Sequence, residues 1–235
     1  MKNFSKEKKN CHLLNLKLSK SKLQFQTFGN ISQRINKDLY VIKPSGVNLK
    51  KTDWKNYPIV NINENRIING KLRPSSDTPT HTEIYKMSEE IRGITHAHSK
   101  YVTIWAQANK QIPNLGTTHS DYWRGDVLIT QILSMHEVKK NYEMNTGLAI
   151  KKILKSKKKI RENPGILVAN HGGFCWGKDA KESLLNFERL EFIAELAFKS
   201  LLISKNIKIS NHLKLKHFNR KHGSKAYYGQ KIKRN

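Results

Sequence analysis

Two histidines, His96 and His98, stand two residues apart inside the apolar, β-branched run "GITHAHSKYVTIW". In a strand, positions i and i+2 face the same way, roughly 6.6 Å apart along the backbone. Both imidazoles can therefore turn toward one point and offer two nitrogens to a single metal ion at ~2.0–2.1 Å each. The same spacing also suits two satisfied core histidines. A third imidazole favours the metal: His171 ends the apolar run "GILVAN" and precedes a Gly pair, where a side chain can project from the end of a sheet. Three neutral imidazoles with an open position describe a catalytic zinc site better than a closed structural one. Asp77, at a loop-to-helix junction in "PSSDTPTH", reads as a carboxylate ligand, an orienting group beside the metal, a base, or a plain turn residue.

Three short turns carry donors suited to a phosphate. These are Gly29–Asn30, Lys43–Gly46 in "KPSG", and Ser75–Asp77 in "SSD". Each combines backbone N–H groups with hydroxyl, amide or ammonium donors. Singly each is an ordinary turn; beside a metal cluster the three would make a sugar-phosphate pocket. The stretch "GGFCWGKD" matches a phosphate-binding G-x-x-x-x-G-K until its last position, where Asp179 replaces the hydroxyl that would hold magnesium. Asp179 reads instead as a helix cap, and Phe174 and Trp176 are poor material for a phosphate cradle. No G-x-G-x-x-G occurs, so a dinucleotide site is not expected.

The elements that must position these groups follow from pattern. Residues 1–24 form a basic, lysine-rich lead-in with weak helical periodicity. "FGNISQRINKDLYVIKPSGV" reads as two short strands with turn residues around Gln33–Asp38, and "YPIVNINENRIINGK" as a hairpin turning near Asn63–Asn65. Thr78 is the expected cap of a helix with Pro79 in its first turn. Gly93–His98 is a strand, and Ser99 caps the helix after it. "GILVANHGGFCWG" reads as a buried strand that breaks at the Gly pair. Asp179 caps the longest helix, with Glu182 completing a capping-box pattern and Leu184, Leu185, Ile193, Leu196 and Ala197 as its core face. The whole reads as one layered α/β domain over 25–215, followed by a polar, aromatic tail over 216–235 that is either disordered or held against something.

Composition limits the function classes. The 235 residues fit one domain with a core of its own. Two distant cysteines, Cys11 and Cys175, offer no disulfide framework and suit a reducing cytoplasm. No run approaches the ~20 apolar residues of a membrane helix, and no signal-peptide core emerges. The net charge of +26 comes from 44 basic and 18 acidic residues. The basic residues are mostly scattered lysines, with clusters in "KKILKSKKKIRE" and the terminal "KIKRN" that read as solvated faces and tails. No nucleic-acid recognition motif accompanies them, so a dedicated nucleic-acid partner is not expected.

Seven segments in order, "FGNIS", "VIKPSGV", "PSSDTPTH", "HAHSKYVTIWAQA", "IPNLGTTHSDY", "HGGFCWGK" and "RKHGSKAYYGQ", closely resemble the class II aldolase family over roughly residues 25–230. The branch they resemble is that of the L-ribulose-5-phosphate 4-epimerases. The resemblance implies a three-layer α/β/α domain around a mainly antiparallel sheet. It implies one Zn(2+) per subunit on His96, His98 and His171, with Asp77 in or beside the metal shell. Gly29, Asn30, Ser45, Gly46, Ser75 and Ser76 would hold the phosphate, with Lys43 nearby. Asp121 and Tyr228 would be the acid/base pair, reaching the site of a neighbouring subunit in a cyclic homotetramer.

The implied reaction interconverts L-ribulose 5-phosphate and D-xylulose 5-phosphate, a pentulose that arabinose or ascorbate breakdown delivers. The C4 hydrogen is not α to the carbonyl, so the C3–C4 bond is broken in a retro-aldol step and remade on the other face of glycolaldehyde phosphate. A divalent cation supplies the Lewis acid for this chemistry, and Asp121 and Tyr228 would need pKa values drawn toward neutrality. Two alternatives stand beside this reading. One is an aldolase of the fuculose-phosphate kind, where the position of Asp77 is typically Glu; the other is a basic anion-binding protein without catalysis. Two departures from the family pattern are an N-terminal helix obscured by lysines and Gly173 where Pro is common, which implies a looser loop after His171.

Overall fold

The computed structural model describes residues 4–223 and 226–230; the terminal "KIKRN" lies outside the described residues. Seven strands form one sheet: β1 (Asn30–Arg34), β2 (Leu39–Ile42), β3 (Ile59–Asn61), β4 (Arg66–Asn69), β5 (Gly93–Ala97), β6 (Gly165–Val168) and β7 (Gly172–Gly177). Their spatial order is β4-β3-β2-β1-β5-β7-β6, and every neighbouring pair is antiparallel. The described helices are α1 (Ser5–Lys20), α2 (Thr78–Met87), α3 (Lys100–Gln107), α4 (Thr117–Ser120), α5 (Met135–Lys139), α6 (Tyr142–Ile153), α7 (Lys157–Glu162), α8 (Ala180–Ile203) and α9 (Asn211–Lys221).

The period-2 alternation of the central strands divides the core into two layers. From β5 and β7, Ala97 and Cys175 join Phe187, Leu190 and Ala194 of α8 on one face. Ile94, Phe174 and Trp176 join Ile84 and Tyr85 of α2 and Ile150 of α6 on the other. Helices on both faces of an antiparallel sheet give the expected α/β/α architecture. His96 stacks on Phe174 with ring centroids 4.1 Å apart, so it belongs to the α2/α6 face.

Several boundaries differ from the sequence expectation, each for a local reason. The lysine-rich lead-in forms α1, and its Cys11, Asn15 and Leu18 are fully buried. The Asn15 amide donates to the Ile31 carbonyl at 3.0 Å and its oxygen accepts from the Ile31 N–H at 2.8 Å, which binds the helix to β1. Asp77, not Thr78, is the first flanking residue of α2; the Thr78 hydroxyl donates instead to the Ser75 carbonyl at 2.6 Å. The run 165–177 is two strands, β6 and β7, joined by a tight turn in which Asn170 adopts φ 59°. The Gly pair opens β7 rather than ending a strand, and Gly173 pairs with both Ala97 and Leu167, so no loop follows it. On α8 the buried face runs through Leu184, Phe187, Leu190, Ile193, Ala194 and Ala197, whereas Leu185 and Leu196 are exposed. Asp179 caps α8 as expected by accepting from the Glu182 N–H, and the Glu182 carboxylate accepts from the Lys178 N–H one residue before the cap. Among the described residues no helix is long and apolar enough to cross a membrane.

Candidate metal centre

The three histidines converge at one end of the central strands. One ligand atom from each of His96, His98 and His171 lies within 4.8 Å of the others. His96 lies in β5, in register with Asn30 of β1 on one side and Phe174 of β7 on the other. Its Nδ1 lies 2.8 Å from the Gly173 carbonyl, which can only accept. Nδ1 therefore carries the proton, and Nε2 keeps its lone pair for the cluster. His98 lies one residue past β5, and its Nε2 is 3.1 Å from that of His96. Tetrahedral bonds of ~2.0–2.1 Å to one ion would place two ligand atoms about 3.4 Å apart, so the rings need move little. His171 sits in the β6–β7 turn with its ring centroid 4.5 Å from that of His98 and 4.9 Å from that of His96.

The electrostatics favour neutral, ligating imidazoles. Burial lowers the His98 pKa to about 4, aided by His96 and opposed by Asp77. Burial likewise lowers that of His171 to about 3, with His96 and His98 adding to the shift. All of this leaves lone pairs available at neutral pH, the condition a metal requires. The donor set and its spacing fit a divalent cation of the zinc type.

Asp77 stands beside this cluster, with its Oδ2 3.9 Å from His96 Nε2. Burial acts to raise its pKa, but His96, His81, a hydrogen bond from Asn30 and His171 outweigh it and hold the carboxyl below its usual value. The Asn30 amide joins two of the expected turns by donating to Asp77 Oδ2 at 2.6 Å and to the Ser75 hydroxyl at 3.0 Å. The third turn arrives through Lys43, whose carbonyl accepts from the Ser75 N–H at 2.9 Å. Lys43 is buried, its ammonium donates to the Thr27 carbonyl at 3.3 Å, and burial lowers its pKa against the pull of Asp77. Ser45, Gly46 and Ser76 are exposed at the rim. Gly29 has φ +98°, and a Cβ there would lie 2.8 Å from the His96 carbonyl, so only glycine fits that close approach.

Asp121 and Tyr228 lie elsewhere. Asp121 follows α4 and is gripped by α9: His217, Arg220 and Lys221 all reach its carboxylate. Tyr228 is exposed, with the Arg220 guanidinium 4.8 Å and the Lys221 ammonium 4.3 Å from its ring centroid. The adjoining Tyr122 and His222 line a cavity of about 350 Å³ with Trp176 and Gly177, at the opposite end of β7 from His171. The pair is thus brought together within one chain but not to that chain's own histidines. Nor is Asp121 drawn toward neutrality: burial would raise it, yet the bonds from Arg220, Lys221 and His217 outweigh burial and lower it.

Residues 12–198 match the class II aldolase and adducin N-terminal domain family. The chain belongs to that family. Among solved structures it is similar to an L-fuculose 1-phosphate aldolase, with 21% identity, a TM-score of 0.75, and coverage of 90% of this chain and 94% of that one. It is similar to L-fuculose 1-phosphate aldolase from Glaciozyma antarctica at 16% identity and TM-score 0.72, covering 94% and 83%. YgbL from Escherichia coli aligns at 18% identity and TM-score 0.69, covering 89% and 96%. At these identities the structures share the class II aldolase fold.

Two residues around the candidate centre were missed in the sequence reading. The Tyr142 hydroxyl, at the start of α6, lies 3.5 Å from His171 Nδ1. His81, fully buried beneath Asp77, bonds through Nδ1 to the Ser32 hydroxyl at 2.7 Å, and burial takes its pKa to about 3. The helical spacing Asp77-x-x-x-His81 would have flagged the latter, since i and i+4 share a face.

Proposed function

We propose that the protein is a zinc-dependent L-ribulose-5-phosphate 4-epimerase, one ion per subunit, working as a homotetramer with shared sites. The carrying observation is the convergence of His96, His98 and His171 beside Asp77, with Asn30 and Ser75 bonded to that carboxylate's surroundings. Zinc, when bound, supplies Lewis acidity for the substrate's carbonyl and hydroxyl oxygens. His96, His98 and His171 hold it, and Asp77 stands close enough to ligate or to orient.

The chain's own residues divide the remaining work. Lys43, Gly29, Asn30, Ser45, Gly46, Ser75 and Ser76 bind the phosphate through ammonium, amide, hydroxyl and backbone donors. Holding that end keeps the two-carbon aldehyde in place after C3–C4 cleavage, while its carbonyl rotates and presents the other face. Asp121 and Tyr228, supplied by a neighbouring subunit, move the proton of the C4 hydroxyl on either face. Their position at the far end of their own β7 supports service to another chain's metal centre.

The second reading is a sugar-phosphate aldolase, favoured by the fuculose-phosphate aldolases among the similar structures. In the family this branch typically carries Glu where this chain has Asp77, which supports the epimerase. Incubating the metal-replete protein with L-ribulose 5-phosphate separates the two. D-xylulose 5-phosphate, lost on adding a chelator, marks the epimerase, and accumulating glycolaldehyde phosphate marks the aldolase. Inertness of the metal-replete tetramer toward this substrate would overturn both readings for it.

A further inference from the structure

Helix α8 bonds to the central strands and to the start of α3 at three heights. The Ser183 and Thr95 hydroxyls meet at 2.8 Å, and the Asn186 amide donates to the Trp176 carbonyl at 2.8 Å. The third contact, nearest the histidines, is made by the Glu191 carboxylate. It accepts from the Ser99 hydroxyl at 2.6 Å and the Val102 N–H at 3.0 Å through Oε2, and from the Tyr101 N–H at 3.0 Å through Oε1. Ser99 flanks α3 but makes no capping bond of its own. A carboxylate from 92 residues away satisfies the unpaired N–H groups of the first turn and meets the positive end of the helix dipole.

What this contact holds is the backbone of His98. His96 is fixed in the sheet and through its Nδ1 bond to Gly173, and His171 Nδ1 faces Tyr142. His98 lies past the last paired residue of β5, and no described residue bonds to its Nδ1; its aromatic neighbours are the other two imidazoles and the exposed Phe28, none of which anchors it by a hydrogen bond from outside the cluster. Its placement therefore depends on its two chain neighbours, Ala97 in the sheet and Ser99 on Glu191. We propose that Glu191 is the positioning residue for His98: through Ser99 and the first turn of α3 it fixes the chain segment from which this imidazole reaches the metal. The inference rests on the metal centre proposed above. Groups that orient metal ligands typically account for about 10–100-fold in metal affinity.

The test measures zinc affinity of the full chain by competition with a chromophoric chelator, and the visible absorption of the cobalt-loaded protein. Glu191→Ala should weaken zinc about 10–100-fold and alter the cobalt bands, a signature of ligand geometry that lost stability alone would not move. Glu191→Gln, which keeps an acceptor oxygen and spares the fold, should show a smaller loss of at least about threefold. Asp179→Ala is the control: it removes the cap at the other end of the same helix, and should lower the melting temperature with zinc affinity and cobalt bands unchanged. Wild-type affinity and cobalt bands in both Glu191 variants would overturn the assignment, as would an equal loss in Asp179→Ala. If the wild-type chain binds neither zinc nor cobalt, the metal centre itself is wrong and this inference falls with it; wild-type binding with indifferent Glu191 variants removes only the positioning role.

Discussion

Arg220 closes a two-pronged pair on Asp121, Nε to Oδ1 at 2.9 Å and Nη2 to Oδ2 at 2.6 Å, while its guanidinium lies over the ring of Tyr228. One side chain thus touches both groups proposed to handle protons. The Arg220 carbonyl also accepts from the N–H groups of Tyr227 and Tyr228, so the tail segment turns back onto the residue that grips Asp121. An ionised, paired carboxylate of this kind is a ready acceptor only once its partners are redistributed, as an arriving substrate anion would do.

Asp121→Asn keeps the shape of this cluster and removes its charge. Zinc content should stay at the wild-type level, while turnover of L-ribulose 5-phosphate drops by about 10²–10⁴-fold, the usual worth of a placed proton-transfer group. Metal analysis and steady-state rates on the same preparation check both halves. A rate within threefold of wild type would remove Asp121 from the proton path.

His96→Ala takes away the imidazole that is best fixed among the three. The variant should retain the fold, because the ring contributes stacking on Phe174 rather than sheet pairing, but it should purify without stoichiometric metal and without the proposed turnover of L-ribulose 5-phosphate. Full turnover in a metal-free His96→Ala sample would contradict the scheme at its root.

The proposed sharing of sites between subunits makes a complementation test possible. On the proposed scheme His98→Ala damages the metal centre of its own chain, and Tyr228→Phe damages what that chain would lend to its neighbour. Each homo-oligomer should be inactive, and subunit exchange between them should restore a fraction of the wild-type rate. If exchange is demonstrated by mass spectrometry and no activity returns, the two groups do not serve different chains.

Gly173 marks where sequence reasoning misread the backbone. Its place next to another glycine, where the family resemblance leads one to expect proline, suggested a loose loop; pairing on both sides makes it part of the opening of a buried strand instead. A Cβ here would lie 2.8 Å from Val102 Cγ1 and 3.2 Å from Phe187 Cε2. Gly173→Ala should therefore cost about 1–3 kcal/mol by overpacking, read from urea midpoints, and should loosen the carbonyl that orients His96.

The histidine cluster was legible because its pattern is local: an i, i+2 pair at the end of one strand and a third imidazole beside a turn define a candidate ligand set without knowledge of the fold. The convergence of the Gly29, Lys43 and Ser75 turns could be anticipated only from the resemblance, since the contacts joining them span up to 47 residues. Misreadings arose where tertiary contact overrode pattern. Lysines masked α1, although its buried Cys11, Asn15 and Leu18 recur at helical spacing. On α8 the apolar residues run round most of the helix, so periodicity alone could not tell buried Leu190 from exposed Leu196. The bonds of Glu191 to the first turn of α3 leave no mark in either segment's own sequence.

The last prediction concerns acid. His119, in "TTHSDY", is 4% exposed, and its Nε2 has no hydrogen-bond partner among the described residues. Burial lowers its pKa to about 4, only partly offset by Asp126 and a backbone bond to Gly125. An unfolded chain returns it to about 6.5. Between those two values the unfolded state binds the extra proton and the folded state does not, so stability rises with pH across that window. The contribution is complete above pH 6.5 and is lost as pH falls through 6.5 toward about 4. His81, lowered to about 3 by burial, adds a slope of the same sign that extends further into acid. Urea midpoints should accordingly fall from pH 7 to pH 4.5, and His119→Gln, which cannot charge, should show a shallower fall than wild type even if its midpoint at pH 7 is lower. Equal slopes in the two proteins would mean that His119 protonates in the folded chain as easily as in the unfolded one, and its burial would then not be what keeps it neutral.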